Sequence, residues 1–348
     1  MSFMGILTAE QIAKDPQQQL RAWKREKDFL VCIDTDGCVL DNMSAKQMLV
    51  FHPFFMDMNN LRCIESFFRL HCEHHNLWGT TRGCDRYLAI QATLGSLLQD
   101  PAGKRTIDAD WIRELKTSVD GYINWVRSTK ASFGIPSLKK YHEANGLDYN
   151  ITRLLSWSEA VDRSFAFTTL KMQPFPGVRE TIEYLAERAD ILVVSGTPYS
   201  DLADWWTFQD MTKYIKAIAS KEMGSKDVHI KVVKEAGSYA DDNVIMCGDG
   251  GADLTSVQKN KGLFFPTPAG AEAKAWQEAR LVFDAFFDGK YRGSSLEKQK
   301  LKEFDEALLK KGPWEEPDYD HKAAYRRHQP LRIALRDAYH PQGKLLVL

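Results

Sequence analysis

The sequence predicts an α/β fold, a doubly wound parallel sheet with an inserted, mostly helical domain, on three observations. Short continuous apolar runs each stop abruptly in a cluster of small and acidic residues, as strands buried on both faces do. Segments of helical periodicity lie between these runs, and strand alternating with helix means a parallel sheet flanked by helices. Between the first run and the second stand roughly 126 residues, 45–170, where a crossover helix needs only about a dozen.

Residues 1–27 form an N-terminal arm, in which Thr8 and Gln11 match a capping box and predict a helix over 8–26. Phe29, Leu30, Val31, Cys32 and Ile33 are the first strand, ending in Asp34-Thr35-Asp36-Gly37. Residues 191–194 end in Ser195-Gly196-Thr197-Pro198, 244–247 in Gly248-Asp249-Gly250-Gly251, and 262–265 in Pro266-Thr267-Pro268; 214–219 is a weaker fifth strand. The clearest helix is 178–188, with Val178, Ile182, Leu185 and Ala186 on one face. The sheet domain therefore comprises 28–44 and 171–285, the helical insert 45–170. Residues 286–348 are a charged C-terminal extension with a helix over 295–311 and no assigned role.

Composition limits the function classes. The 348 residues carry 46 Lys plus Arg against 47 Asp plus Glu, a net charge of -1. A protein that binds nucleic acid by neutralising phosphates needs a basic excess, which is absent. Six cysteines, at 32, 38, 63, 72, 84 and 247, show no CxxC pairing, which suits a reducing compartment. No apolar stretch approaches the roughly 18 residues of a membrane span, and the first residues lack the basic start and apolar run of a signal peptide. A cytoplasmic protein without membrane contact is expected; its oligomeric state is left open.

In open parallel sheets ligands bind at the carboxyl ends of the strands, where Asp34, Asp36, Ser195, Asp249 and Asp253 fall. Carboxylates crowded there repel one another unless a cation stands among them. Oxygen ligands without His or Cys point to Mg2+, which takes one or two carboxylates together with a substrate phosphate. A phosphate ester also needs a hydroxyl donor, which Ser195 supplies, and a fixed lysine between the second and fourth motif strands.

With these residues in order, the chain resembles the haloacid dehalogenase superfamily. Asp34-Thr35-Asp36-Gly37-Cys38-Val39-Leu40-Asp41 looks like its first motif, Ser195 its second, and Gly248-Asp249-Gly250-Gly251-Ala252-Asp253 its fourth. Lys226, in Gly224-Ser225-Lys226-Asp227-Val228-His229, is similar in placement to the third, with Lys221 and Lys231 as competing candidates. The likeness covers 28–44 and 171–285 and leaves the other half of the chain untouched. It implies a Mg2+-dependent phosphatase acting on a small phosphorylated metabolite through an aspartyl phosphate on Asp34. Asp36 would be general acid and base, and Asp34, the Asp36 carbonyl, Asp249 and Asp253 would surround the metal. Asp36 favours phosphate substrates, because dehalogenases lack an acid there. The insert falls where the family places a cap. A phosphomutase using the same intermediate, or a binding protein on the same fold, are the alternatives.

Simpler readings stand beside these. Ser195 can be a turn former, and each lysine a solvated surface charge. His71 and His75 in His71-Cys72-Glu73-His74-His75 could share a helix face toward zinc, but no matching ligand pair exists elsewhere, so packed or solvated histidines are expected. Thr81, Arg82 and Arg86, in the insert beside Gly83, are candidates for substrate specificity, against a plain surface charge.

Overall fold

Each apolar run forms a strand because both of its faces are covered, which leaves no polar alternation along it. The structure is a computed structural model that describes residues 2–105, 107–146, 148–168 and 172–339. Its sheet contains β1 (Phe29–Ile33), β2 (Ala189–Val194), β3 (Ala217–Ala219), β4 (Val244–Gly248) and β5 (Leu263–Pro266), all parallel, in the order β3-β2-β1-β4-β5. The chain runs outward from β1 to β3, then crosses to the other side of β1 for β4 and β5. Right-handed crossovers in those opposite directions put helices on opposite faces, giving the doubly wound arrangement.

Register brings the strand ends into line: Ile33 lies opposite Val193 on one side and Cys247 on the other. The Asp34 amide still donates to the Cys247 carbonyl at 3.0 Å, so β1 and β4 stay joined up to the first acidic residue.

The weak fifth strand is shorter than the sequence suggests, since Thr212–Tyr214 forms a 3-10 turn ahead of it. The helix expected over 8–26 is in fact two, Ala9–Lys14 and Gln18–Arg21. The Thr8–Gln11 capping box is made, but Pro16 disfavours helical geometry at Asp15, whose φ is -157°. The helix Val178–Arg188 buries Val178, Ile182 and Leu185, while Ala186 is only half-buried. The helix expected over 295–311 ends at Ala307.

The chain forms two compact units: one of residues up to Met43 with Ala166–Leu308, the other of Ser44–Phe165 with Leu309 onward. The expected boundary at 170/171 lies outside the described residues, as do 340–348 of the C-terminal extension. No helix among the described residues is long and apolar enough to cross a membrane. All six cysteines are unpaired.

The second unit is helical, and a cluster of aromatic rings packs within its largely aliphatic core: Phe55 stacks on Phe68, and Trp157 meets Phe51, Phe55 and Tyr87 edge-on. Its helices start where the sequence offers caps, Asp85 for Arg86–Leu97 and Asp108 for Ala109–Thr129. Pro136 stands in the first turn of Ile135–Asn145, where its missing N–H costs nothing.

The C-terminal extension is divided between the units. Residues up to Leu308 cluster with the sheet, and those from Leu309 complete the helical unit. There Trp314 stacks on His71, Tyr319 donates to Asp100 Oδ2 at 2.8 Å, and the Arg332 guanidinium makes a bidentate pair with Glu73 at 2.7 and 2.6 Å. Glu73 is almost fully buried; burial pushes its carboxyl up, and Arg332 opposes that shift.

Removing one partner of such a pair strands a charge in a dry interior. Arg332→Met is therefore expected to cost roughly 3–5 kcal/mol of stability, read by urea denaturation of the full chain. Combining it with Glu73→Met should recover much of the loss, and a single variant as stable as wild type would show that the pair holds nothing down.

Candidate active site

The first motif bends sharply after β1. Gly37 takes a φ of 74°, a left-handed value that favours glycine, and the loop curls until the Leu40 carbonyl accepts the Gly37 amide at 3.0 Å. Trp206, from the helix Tyr199–Phe208, braces the loop by donating its indole N–H to Thr35 Oγ1 at 3.2 Å.

Three carboxylates from two adjacent strand ends meet there. Asp34 follows β1; Asp249 and Asp253 follow β4, Asp253 inside the helix Gly251–Lys259. Each offers a carboxylate oxygen within 4.8 Å of the others, and all three residues are buried. The closeness requires glycine at 248, because a Cβ there would lie 2.3 Å from the Asp253 Cβ and 2.5 Å from its Cγ. Asp253 is further held by the Gly250 amide, which donates to its Oδ2 at 3.1 Å.

Lys226 is the cation of this cluster. It begins the helix Lys226–Ala236, and its Nζ lies 2.9 Å from Asp34 Oδ2 and 2.6 Å from Asp253 Oδ1. Burial works against its charge, but Asp253 and then Asp34 overcome that and hold the ammonium above its usual range. The competing lysines sit elsewhere: Lys221 is exposed, and Lys231 faces solvent beside Glu235.

Asp34 is pushed well above the ordinary carboxylate range, first by burial and then by the charges of Asp253 and Asp249, against the pull of Lys226. Its Oδ1 is buried without a hydrogen-bond partner. An orphaned carboxylate oxygen is costly unless something else ligates it. The three side chains offer only hard oxygen donors. The set therefore fits a divalent cation of the Mg2+ class. It is the one such group of His, Cys, Asp or Glu side chains among the described residues.

Asp36 is not part of that group; its expected role there was through its carbonyl. Its carboxylate is half-buried and gripped at both oxygens, Oδ1 by Asn42 Nδ2 and Oδ2 by Thr197 Oγ1, each at 2.6 Å. Ser195 lies at the end of β2, where its amide donates to the Ala219 carbonyl and its Oγ accepts the Thr197 amide at 3.2 Å. That contact is the turn-forming role, and it leaves the hydroxyl hydrogen uncommitted.

The remaining candidates belong to the helical unit and are engaged within it. Thr81 Oγ1 donates to the His75 carbonyl, and Arg82 is buried and donates to the Leu77 carbonyl at 3.1 Å. Arg86 pairs with Asp162 at 2.8 Å and lies over the Phe51 ring. The histidine cluster is packed: His71 bridges Ser96 and Asp100, and His75 bonds Thr81 and Ser96.

Sequence reasoning missed Asn42, and it placed Thr197 only within the turn that ends β2. Thr197 carries no signal in a single chain, since it stands 161 positions from Asp36 and is brought to it by the pairing of β1 with β2.

No family model matches the chain, and no curated protein matches it. Among solved structures, the chain is similar to a HAD-hydrolase, YfnB, from Bacillus subtilis bound to magnesium, at 12% identity and a TM-score of 0.37 over 69% of this chain and 86% of that one. A haloacid dehalogenase-like family hydrolase from Streptococcus pneumoniae is similar at 11% identity and a TM-score of 0.38, over 72% and 90%. An L-2-haloacid dehalogenase from Xanthobacter autotrophicus is similar at 13% and 0.34, over 86% and 98%. Similarity at this level leaves the chemistry to the residues of this chain.

A cation that binds only the folded chain stabilises it. Mg2+ at about a hundred times its dissociation constant should add roughly 2.7 kcal/mol, seen as a higher thermal midpoint. Asp249→Asn protein should lose most of that rise, and a wild-type midpoint indifferent to millimolar Mg2+ would tell against the metal.

Proposed function

We propose that this chain is a Mg2+-dependent hydrolase of phosphate monoesters, of the haloacid dehalogenase type, acting on a small phosphorylated metabolite. The observation that carries the reading is the pairing of two differently placed acids on one loop. Asp34 is buried against Lys226 among carboxylates, while Asp36, two residues on, is tethered apart from them and half-exposed.

In the first half-reaction the Asp34 carboxylate attacks phosphorus, a new O–P bond forms, and the bond to the leaving oxygen breaks. Asp36 gives that oxygen its proton. In the second, water attacks the phosphorylated Asp34, Asp36 takes the water's proton, and the carboxylate is regenerated with release of inorganic phosphate. Each half-reaction restores what the other consumed, so no further reactant is needed.

Two anions must meet for this to happen. Lys226 lowers their repulsion as a fixed charge beside Asp34, and the Ser195 hydroxyl is a donor for a phosphoryl oxygen. Mg2+ held by Asp34, Asp249 and Asp253 would supply further positive charge against the phosphoryl oxygens. Thr81, Arg82 and Arg86 are proposed to influence which substrate is accepted.

A dehalogenase needs a nucleophilic carboxylate but no acid to protonate its leaving group, since halide departs as an anion. The tethered Asp36 therefore supports phosphate chemistry over that of the dehalogenase neighbour.

With Mg2+ and p-nitrophenyl phosphate, wild-type protein should release phosphate, and folded Asp34→Asn protein should lose activity by a factor of about 10⁴ or more. Wild-type rates in that variant, or release of halide from a 2-haloacid in place of phosphate, would overturn the proposal. Isomerised sugar phosphate instead of free phosphate would identify a mutase.

A further inference from the structure

Asp36 is required, on the hydrolase reading above, to present one carboxylate to two different partners in turn, a leaving oxygen and a water. A free aspartate rotates about two bonds and spends little time in any one direction. Here two donors from separate segments grip it, one at each oxygen.

Asn42 is fully buried, six residues along the same loop. Its side-chain amide has no freedom to flip. The Gly37 backbone N–H, which can only donate, points to Asn42 Oδ1 at 3.2 Å, so the Nδ2 end must face Asp36 Oδ1, which it reaches at 2.6 Å. Asn42 is thereby held by the same left-handed turn that shapes the first motif. The second grip comes from across the sheet: Thr197, two residues beyond the end of the β2 motif at Ser195, donates to Asp36 Oδ2 at 2.6 Å, its own amide fixed by Ser195 Oγ. An amide NH2 is an obligate donor, whereas a threonine hydroxyl turns between donating and accepting. The Asn42 contact is thus the fixed pivot, and the Thr197 contact adapts when the carboxyl carries a proton.

We infer that Asn42 and Thr197 are positioning residues, which set the direction in which Asp36 delivers and takes its proton and act through Asp36 rather than on the substrate. The assignment rests on the hydrolase reading. It separates from a merely structural role through the leaving group, because a misdirected acid harms a reluctant leaving oxygen far more than an easy one.

The test compares kcat/KM for p-nitrophenyl, phenyl and p-methoxyphenyl phosphate, a series of increasingly basic leaving groups, in wild type, Asn42→Ala, Thr197→Val and Thr197→Ser, all with Mg2+. Asn42→Ala and Thr197→Val should lose less than about tenfold on the nitrophenyl ester and about 100-fold or more on the methoxyphenyl ester. Thr197→Ser, which keeps the hydroxyl, should return to within about threefold of wild type on all three. If Asn42→Ala does not fold, the Thr197→Val and Thr197→Ser pair decides alone. Equal losses on every ester, or none, overturn this assignment and leave the hydrolase reading intact. A wild-type protein silent on all three esters sinks that reading and the assignment with it.

Discussion

Three buried carboxylates and one lysine at the shared end of β1 and β4 are the constraint around which the sheet unit is arranged. Bringing Asp34, Asp249 and Asp253 within reach of one another costs several kcal/mol for each ion taken from water, and their mutual repulsion adds to it. Lys226 offsets part of this, at 2.9 Å from Asp34 and 2.6 Å from Asp253. An apolar edge would be easier to stabilise, so the cluster marks this strand end as the candidate site.

Much of the surrounding architecture is what such crowding requires. Parallel pairing of β1 with β4 aligns the strand ends, so that Asp34 and Asp249 emerge side by side. Gly248 leaves room for Asp253 to fold back over the strand end, and the Gly250 amide satisfies the oxygen that Lys226 does not reach. Lys226 arrives at the start of a helix that packs on the helix holding Asp253, so one helix pair fixes both halves of the ion pair. Asp36 is drawn off by Asn42 and Thr197, which separates its environment from that of Asp34 on the same short loop. Two acids kept apart in this way can take different roles.

The helical unit obeys a different rule. Its core joins aliphatic side chains to a cluster of aromatic rings, and some of its buried polar groups are closed into networks such as His71 with Ser96 and Asp100. The C-terminal extension enters those networks through Trp314, Tyr319 and Arg332, which explains why residues far apart in sequence form one body. Nothing in the charged, Pro- and Tyr-containing tail announces this. Glu73 looks like a surface residue until Arg332 is brought to it.

Four strands were legible to within two residues at either end, because a strand covered on both faces is written as a local run of apolar residues. The acidic residues and Ser195 were legible for the same reason: they stand directly after those runs, and parallel strands put such positions along one edge. Lys226 could only be named beside Lys221 and Lys231, since choosing among them needs the direction of a helix start. The 8–26 helix breaks at Pro16, whose ring disfavours helical geometry at Asp15, a signal the sequence does carry. What tertiary structure alone decided were contacts across long loops: Thr197 with Asp36, Arg332 with Glu73, and the division of the C-terminal extension between two units. Periodicity and turn chemistry act over a few residues and are written in the sequence. Contacts that close a loop of a hundred residues or more depend on strand order and packing, which no single stretch of sequence contains.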